Sequence, residues 1–201
     1  MEASAYTSRG ILKAQEVEPF KNLNDIQKLK SYFKIHNLRD YTIFVVGINV
    51  GLRAGDLLSL KVSDVRDKDV AYIMEEKTRK HRRFEINDSA AIAIRYYLNK
   101  TKLKNDDYLF PSRKGNTPLT TQSLHRIINK AVEDCEIEGN FGTHSLRKTF
   151  GYHIYINNIK ENPGIVHVLQ KIFNHTSEST TLNYIGITKN VIGSAYADLN
   201  L

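Results

Sequence analysis

The segment Thr143-His144-Ser145-Leu146-Arg147 sets a histidine and an arginine three residues apart where the loop Gly139-Asn140-Phe141-Gly142 gives way to a helical pattern. At that spacing both side chains leave one face of a helix, beside the positive end of its dipole. Such a helix start suits a phosphate group. The H-x-x-R pattern is weak alone: His36-Asn37-Leu38-Arg39 repeats it, and there it reads as the connection between two helices. What distinguishes the second copy is its company. Downstream, His175 stands nine residues before Tyr184 in Phe173-Asn174-His175-Thr176-Ser177-Glu178-Ser179-Thr180-Thr181-Leu182-Asn183-Tyr184. Upstream, Gly51-Leu52-Arg53-Ala54-Gly55-Asp56 puts an arginine at a break between apolar segments, and Lys77 opens the basic run KTRKHRR. Taken alone, Arg53 reads more readily as a structural arginine paired with Asp56 three residues on.

Composition narrows the partners of such a cluster. Lys and Arg number 29 against 22 Asp and Glu in 201 residues, a net charge of +7, which favours a polyanion. The charge is concentrated: five of the seven residues from Lys77 to Arg83 are Lys or Arg. The single cysteine, Cys135, excludes an internal disulfide framework. C-x-x-C, H-E-x-x-H and EF-hand spacings are absent, so a structural metal is not expected, and no phosphate-binding G-x-x-x-x-G-K-[ST] loop occurs. No apolar run is long enough for a membrane span. The first nineteen residues carry acids and lack the apolar stretch of a secretory signal, so a cytoplasmic location is expected.

The elements that must hold these residues follow from periodicity. Residues 1–22 read as an N-terminal arm. Asn24 and Asp25 offer caps for a helix ending near Asn37, with Ile26, Leu29 and Phe33 on one face. Residues 39–49 run through the all-round apolar IFVVGI, a buried helix stopped by Gly51, and 54–60 form a short helix after it. VAYIM (70–74) and RRFEI (82–86) read as two strands of a hairpin with its basic tip in solvent. Asp88 would cap a helix over 89–100. A polar loop leads to a helix over 120–134, with Leu124, Ile127, Ile128 and Ala131 on one face. Further helices are expected over 144–157 and from Pro163, the latter carrying Ile165, Val168, Leu169 and Ile172. The chain is therefore expected to be mainly α with a small antiparallel β-hairpin, an α+β fold; helices outnumber strands too heavily for a doubly wound sheet.

In the order G-L-R-x-x-D, K-T, T-H-x-L-R-K-T-F and H-x-x-x-x-T-T-x-x-Y, the sequence resembles the catalytic domain of the tyrosine recombinases, the phage and transposon integrases, over about residues 24 to 196. The resemblance implies DNA strand exchange through a 3′-phosphotyrosine, with no metal, ATP or other cofactor. By motif match Tyr184 is the nucleophile, Arg53 and Arg147 hold the phosphate, His144 exchanges a proton with the nucleophile, and His175 hydrogen-bonds the phosphate. Lys77 protonates the leaving 5′-oxygen, with Lys80 on the same turn as the alternative, and Asp56 supports Arg53. Tyr152, Tyr155 and Tyr196 lack the histidine nine positions earlier. Arg79, Lys80, Arg82 and Arg83 on the hairpin, with Arg113 and Lys114 in the loop before the 120–134 helix, are the expected DNA contacts. The implied partners are double-stranded DNA and further copies of the chain, a dimer or tetramer on DNA, with no membrane. A bacterial or phage protein acting at the nucleoid is expected.

Residues 23–187 would form the catalytic domain and 188–201 a C-terminal helix or tail exchanged between protomers. Two departures stand out. Asn174 replaces the glycine usual before the second histidine, though asparagine also tolerates left-handed backbone. The family's separate core-binding domain, about one hundred residues, has no counterpart in the 22 residues ahead of the first helix, so either a fragment or a minimal recombinase is expected. The alternatives are a DNA-binding accessory module of a mobile element, or nicking and closing of the type IB topoisomerase kind.

Overall fold

The most thoroughly buried helix, α2 (Leu38–Val50), buries Thr42, Ile43, Phe44, Val45, Val46, Gly47 and Val50, leaving almost no polar face. This is the buried helix the IFVVGI run predicts, and α1 (Leu23–His36), α5 (Asp88–Asn99) and α7 (Thr143–Asn158) pack around it. The computed structural model describes residues 16–77 and 79–188. Asn37 separates α1 from α2 in extended backbone, and its side chain accepts the Asp40 N–H as a cap. At the other end α2 stops at Gly51, whose left-handed conformation (φ 60°, ψ 29°) turns the chain into Arg53 and α3 (Ala54–Leu58).

A four-residue helix α4 (Val62–Val65) follows, too short to leave a periodic signal. It is held by the Lys61 N–H donating to the Asp64 carboxylate and the Val62 N–H donating to Asp107 O. Strands β1 (Val70–Met74) and β2 (His81–Glu85) pair antiparallel with Tyr72 opposite Arg83, Ile73 opposite Arg82 and Met74 opposite His81. The second strand starts one residue earlier than its sequence pattern suggests, because His81 completes the register against Met74. Its alternation places Arg82 and Phe84 on the inner face and His81 and Arg83 outside.

Beyond the sheet, α6 (Thr121–Asp134) buries Leu124, Ile128 and Ala131, with Ile127 at the margin. Then come α7, α8 (Ile165–Phe173) and α9 (Glu178–Tyr184). Leu169 and Phe173 join Ile185 and Ile187 in a second, smaller core under α7, separate from the main one. Val168, expected on the buried stripe of α8, is 44% exposed, because Ile165, Leu169 and Phe173 suffice to cover the contact. Two caps also differ from expectation. Asn22 and Asn87, not Asn24, Asp25 or Asp88, accept the orphan N–H groups of α1 and α5, each standing one residue outside the helix in extended backbone.

The described part of the N-terminal arm is docked. The Phe20 N–H donates to Thr149 Oγ1 (2.8 Å), the Glu18 N–H donates to Asn140 O (2.8 Å), and Phe20 stacks on Phe141 with centroids 4.3 Å apart. Residues 1–15 lie outside the described residues, as do 189–201, where most of the C-terminal segment falls. Among the described residues no helix is long and apolar enough to cross a membrane.

The Gly51 turn is the tightest point of this frame: a Cβ there would lie 2.4 Å from Phe150 Cδ1, on backbone that L-residues enter at a cost. Gly51→Ala is expected to lower stability by about 2–4 kcal/mol, the sum of left-handed strain and overpacking against Phe150. A urea titration measures this, and a midpoint unchanged from the parent would refute it.

Candidate active site

Arg147, the fifth residue of α7, is 3% exposed. Its Nη1 donates to Gly51 O at 2.6 Å and its Nη2 to Phe173 O at 3.1 Å, while the guanidinium lies 4.5 Å from the Phe173 ring centroid. Both carbonyls end helices, α2 and α8, so the arginine caps two negative dipole ends at once. Burial first, and then the nearby Arg82 cation, push its pKa down to about 10, so it still carries full charge at neutrality.

Arg53 occupies the N-cap of α3. Its Nη1 stands 2.7 Å from Glu75 Oε1 and 3.9 Å from Asp56 Oδ2, so its main partner is not the carboxylate three residues on. Asp56, 3% exposed, instead accepts the Glu76 N–H at 2.9 Å and ties the hairpin to α3. Glu75 was not legible as a site residue. It is 5% exposed at the end of β1 and takes both Arg53 and, at 3.3 Å, Arg82.

Tyr184 ends α9 and rests half-buried against Phe173 (ring centroids 5.4 Å apart) and His175 (5.1 Å). Burial raises its phenol pKa, and the Arg147 and Arg53 charges pull against that rise. His175 follows Asn174, which adopts the left-handed conformation (φ 54°, ψ 48°) that ends α8, and its Nδ1 lies 3.1 Å from Thr181 Oγ1. The His175 imidazole is held below its ordinary pKa by burial and then by Arg147 and Arg53. His144 is shifted the same way by burial, followed by Lys148, Arg147, Arg53 and Lys77. Both imidazoles are therefore neutral at pH 7 and able to accept a proton.

Five of the residues singled out in the sequence thus converge: Arg53, His144, Arg147, His175 and Tyr184. Lys77 stands exposed on the hairpin turn, near enough for its charge to be felt at His144. Lys148 also escaped the sequence reading; it is 4% exposed, pairs with Glu16, and places its Nζ 4.9 Å from the Tyr184 ring centroid. Of the basic residues expected to meet DNA, Arg79, Lys80, Arg83, Arg113 and Lys114 are exposed. Arg82 departs from that expectation. Its side chain is 11% exposed and turned inward, because strand alternation puts it on the face of Phe84.

Electrostatically the site is a cluster of cations around a phenol. It can hold a tetrahedral anion between two guanidinium forks and pass a proton to an imidazole. Among the described residues no group of three or more His, Cys, Asp or Glu stands together as metal ligands would.

Known proteins resemble this chain in sequence and in fold. A probable integrase/recombinase, YoeC of Bacillus subtilis, is 39% identical over 180 residues, covering 90% of this chain and 95% of its own. Among solved structures, XerA recombinase superposes with a TM-score of 0.72 at 24% identity, over 96% of this chain and 68% of the other. The XerH site-specific recombinase bound to palindromic difH substrate gives 0.68 at 19% identity, over 92% of this chain. This chain spans only 54% of XerH. Residues 19–190, which take in every site residue named above, match the phage integrase family, and with the YoeC likeness they establish that the chain belongs to it.

Proposed function

We propose that the protein is a site-specific DNA recombinase that cleaves and rejoins duplex DNA through a covalent phosphotyrosine at Tyr184. The observation that carries this reading is the meeting of the Tyr184 ring, the His175 ring and the Arg147 guanidinium around Phe173, near enough to Arg53 for its charge to be felt at the phenol. In the reaction the phenolic oxygen attacks phosphorus and the bond to the 5′-oxygen breaks. The phenolic proton passes to neutral His144, and the leaving oxygen is protonated by Lys77 on its exposed turn. Arg53 and Arg147 hold the non-bridging oxygens, whose charge grows as the phosphorane forms. Attack by a 5′-hydroxyl from a second duplex reverses the sequence, so bond energy is conserved and no nucleotide cofactor is called for.

Double-stranded DNA is the partner that the exposed Arg79, Lys80, Arg83, Arg113 and Lys114 would grip, and the DNA-bound XerH likeness supports it. Exchange between two duplexes requires a nucleophile at each of four strands, so copies assemble as dimers and tetramers on DNA. The C-terminal segment is the proposed link between protomers. A DNA substrate also places the site of action at the nucleoid.

Nicked duplexes incubated with the protein in EDTA should yield a covalent adduct on a denaturing gel, absent in Tyr184→Phe. An adduct that survives in that variant, or cutting that appears only with magnesium, overturns the reading. Trapping without exchange between two duplexes would indicate nicking and closing alone. Arg147→Ala should slow adduct formation by at least ~10²-fold, the scale for losing one transition-state donor, while retaining most DNA binding in a mobility-shift assay.

The pH profile has a definite sign. Since both imidazoles sit below the usual 6.5, single-turnover cleavage should rise with pH on the acid side of that value and be flat through neutrality, and His144→Gln should flatten the acid limb. Stability should fall over the same acid range, because the unfolded chain takes up protons the folded one refuses.

An anion within the cationic cluster should compensate the buried guanidiniums. At a hundred times its dissociation constant, sulfate would stabilise the fold by about 2.7 kcal/mol. Calorimetry should register this as a raised melting temperature, with no rise in Arg147→Ala.

A further inference from the structure

Arg82 lies outside the motifs that mark the site, yet the structure joins it to both guanidiniums that would hold the phosphate. Its Nη1 lies 3.3 Å from Glu75 Oε1, the oxygen that Arg53 Nη1 meets at 2.7 Å. Its Nη2 donates at 3.1 Å to Gly51 O, the carbonyl that Arg147 Nη1 meets at 2.6 Å. The result is an unbroken chain from Arg53 through the Glu75 carboxylate, Arg82 and the Gly51 carbonyl to Arg147. Glu75 and Arg82 also flank the turn that carries Lys77, held closed by the Glu75 N–H donating to Lys80 O.

We propose that Arg82 is a positioning residue for strand cleavage: it fixes the spacing of Arg53 and Arg147 and locks the Lys77 turn to them, so that the phosphate meets a preformed pair of forks. This rests on the reading of Arg53 and Arg147 as the phosphate-holding pair.

Three features carry it. First, the position is one where an apolar side chain would satisfy the fold. Arg82 pairs across the ladder with Ile73 and shares its face with buried Phe84. A guanidinium there loses its hydration, and burial is the main cause that lowers its pKa, opposed by Glu75. Partly buried ion pairs often contribute little net stability, so the charge is explained better by geometry than by folding energy. Second, the two acceptors lie in different directions, one on the hairpin and one at the end of α2. The rigid guanidinium fork serves both at fixed separation, whereas a lysine ammonium on its flexible stem does not. Third, both of its terminal nitrogens are taken by the groups that also hold the pair, Glu75 for Arg53 and Gly51 O for Arg147, so a displaced Arg82 displaces both.

The test compares single-turnover adduct formation on two nicked duplexes. One has an ordinary scissile phosphodiester; the other has a methylphosphonate, in which a methyl group replaces one charged non-bridging oxygen, each stereoisomer being assayed separately. If Arg82 acts by setting the two forks on those oxygens, its loss matters in proportion to the charge they carry. Arg82→Met is expected to bind DNA within about threefold of the parent, to react about 30-fold or more slowly on the phosphodiester, and to lose less than about threefold on the methylphosphonate. Arg82→Lys should fall between.

Equal slowing on both substrates would reduce Arg82 to a structural residue. Unchanged rates, or weakened binding with an unchanged single-turnover rate, would overturn the proposal outright. Should Arg82→Met fail to fold, Glu75→Gln, which keeps the shape and removes the shared charge, must show the same substrate-dependent loss, and its absence counts against the proposal. Tyr184→Phe run in parallel separates this outcome from failure of the underlying reading. A parent adduct abolished in Tyr184→Phe keeps the reading whatever Arg82 does; an adduct that persists, or a parent that forms none, removes the reading and the proposal together.

Discussion

The carbonyl of Gly51 is where the fold and the site meet. It lies at the negative end of the most thoroughly buried helix, and two guanidiniums, from Arg82 and Arg147, donate to it from different elements. Arginines brought together out of water repel one another, and only fixed dipoles and carboxylates in the right places keep the arrangement folded. A helix terminus supplies such a dipole without adding a further carboxylate, so the cluster keeps its positive charge. That choice constrains much else. Helix α2 must end here, the residue ending it must accept a left-handed backbone, and Phe150 must close over it, leaving no room for a side chain. Phe173 O does the same for Arg147 at the end of α8, where Asn174 supplies the left-handed turn.

The carboxylates complete the compensation from the hairpin side. Glu75 is shared by Arg53 and Arg82, while Asp56 is spent on a backbone N–H of the turn. Because one Glu75 oxygen meets both Arg53 and Arg82, it orients the two guanidiniums and moderates their repulsion.

How much of this was legible in the sequence depended on whether a residue's role was local. Gly51, Arg53, His144, Arg147, His175 and Tyr184 lie in short motifs, and their spacing carries the information. The strands and the longer helices followed from periodicity, whereas α4 and α9, of four and seven residues, were too short to leave one; errors elsewhere fell at the ends, where a cap is chosen by backbone geometry one residue outside the helix: Asn22 and Asn87 prevailed over acidic neighbours. Glu75 and Lys148 were missed because each gains its meaning from a partner distant in sequence, Arg53 in one case and Glu16 in the other. Arg82 was read as part of an undivided basic run. The alternation that turns it inward was present in the sequence, two residues before Phe84, but the density of charge concealed it.

The division of the apolar interior into two clusters bears on how this protein opens. The hairpin leans on the larger core and Tyr184 packs with the smaller one formed by Leu169, Phe173, Ile185 and Ile187, while Arg147 bridges the two by donating to Gly51 O and to Phe173 O. A unit with few buried contacts detaches at lower free energy than the whole molecule unfolds. Tyr184 is thus carried by the smaller unit, and because Arg147 is anchored to Phe173 O, amide exchange there will report an opening that loosens the arginine together with the tyrosine.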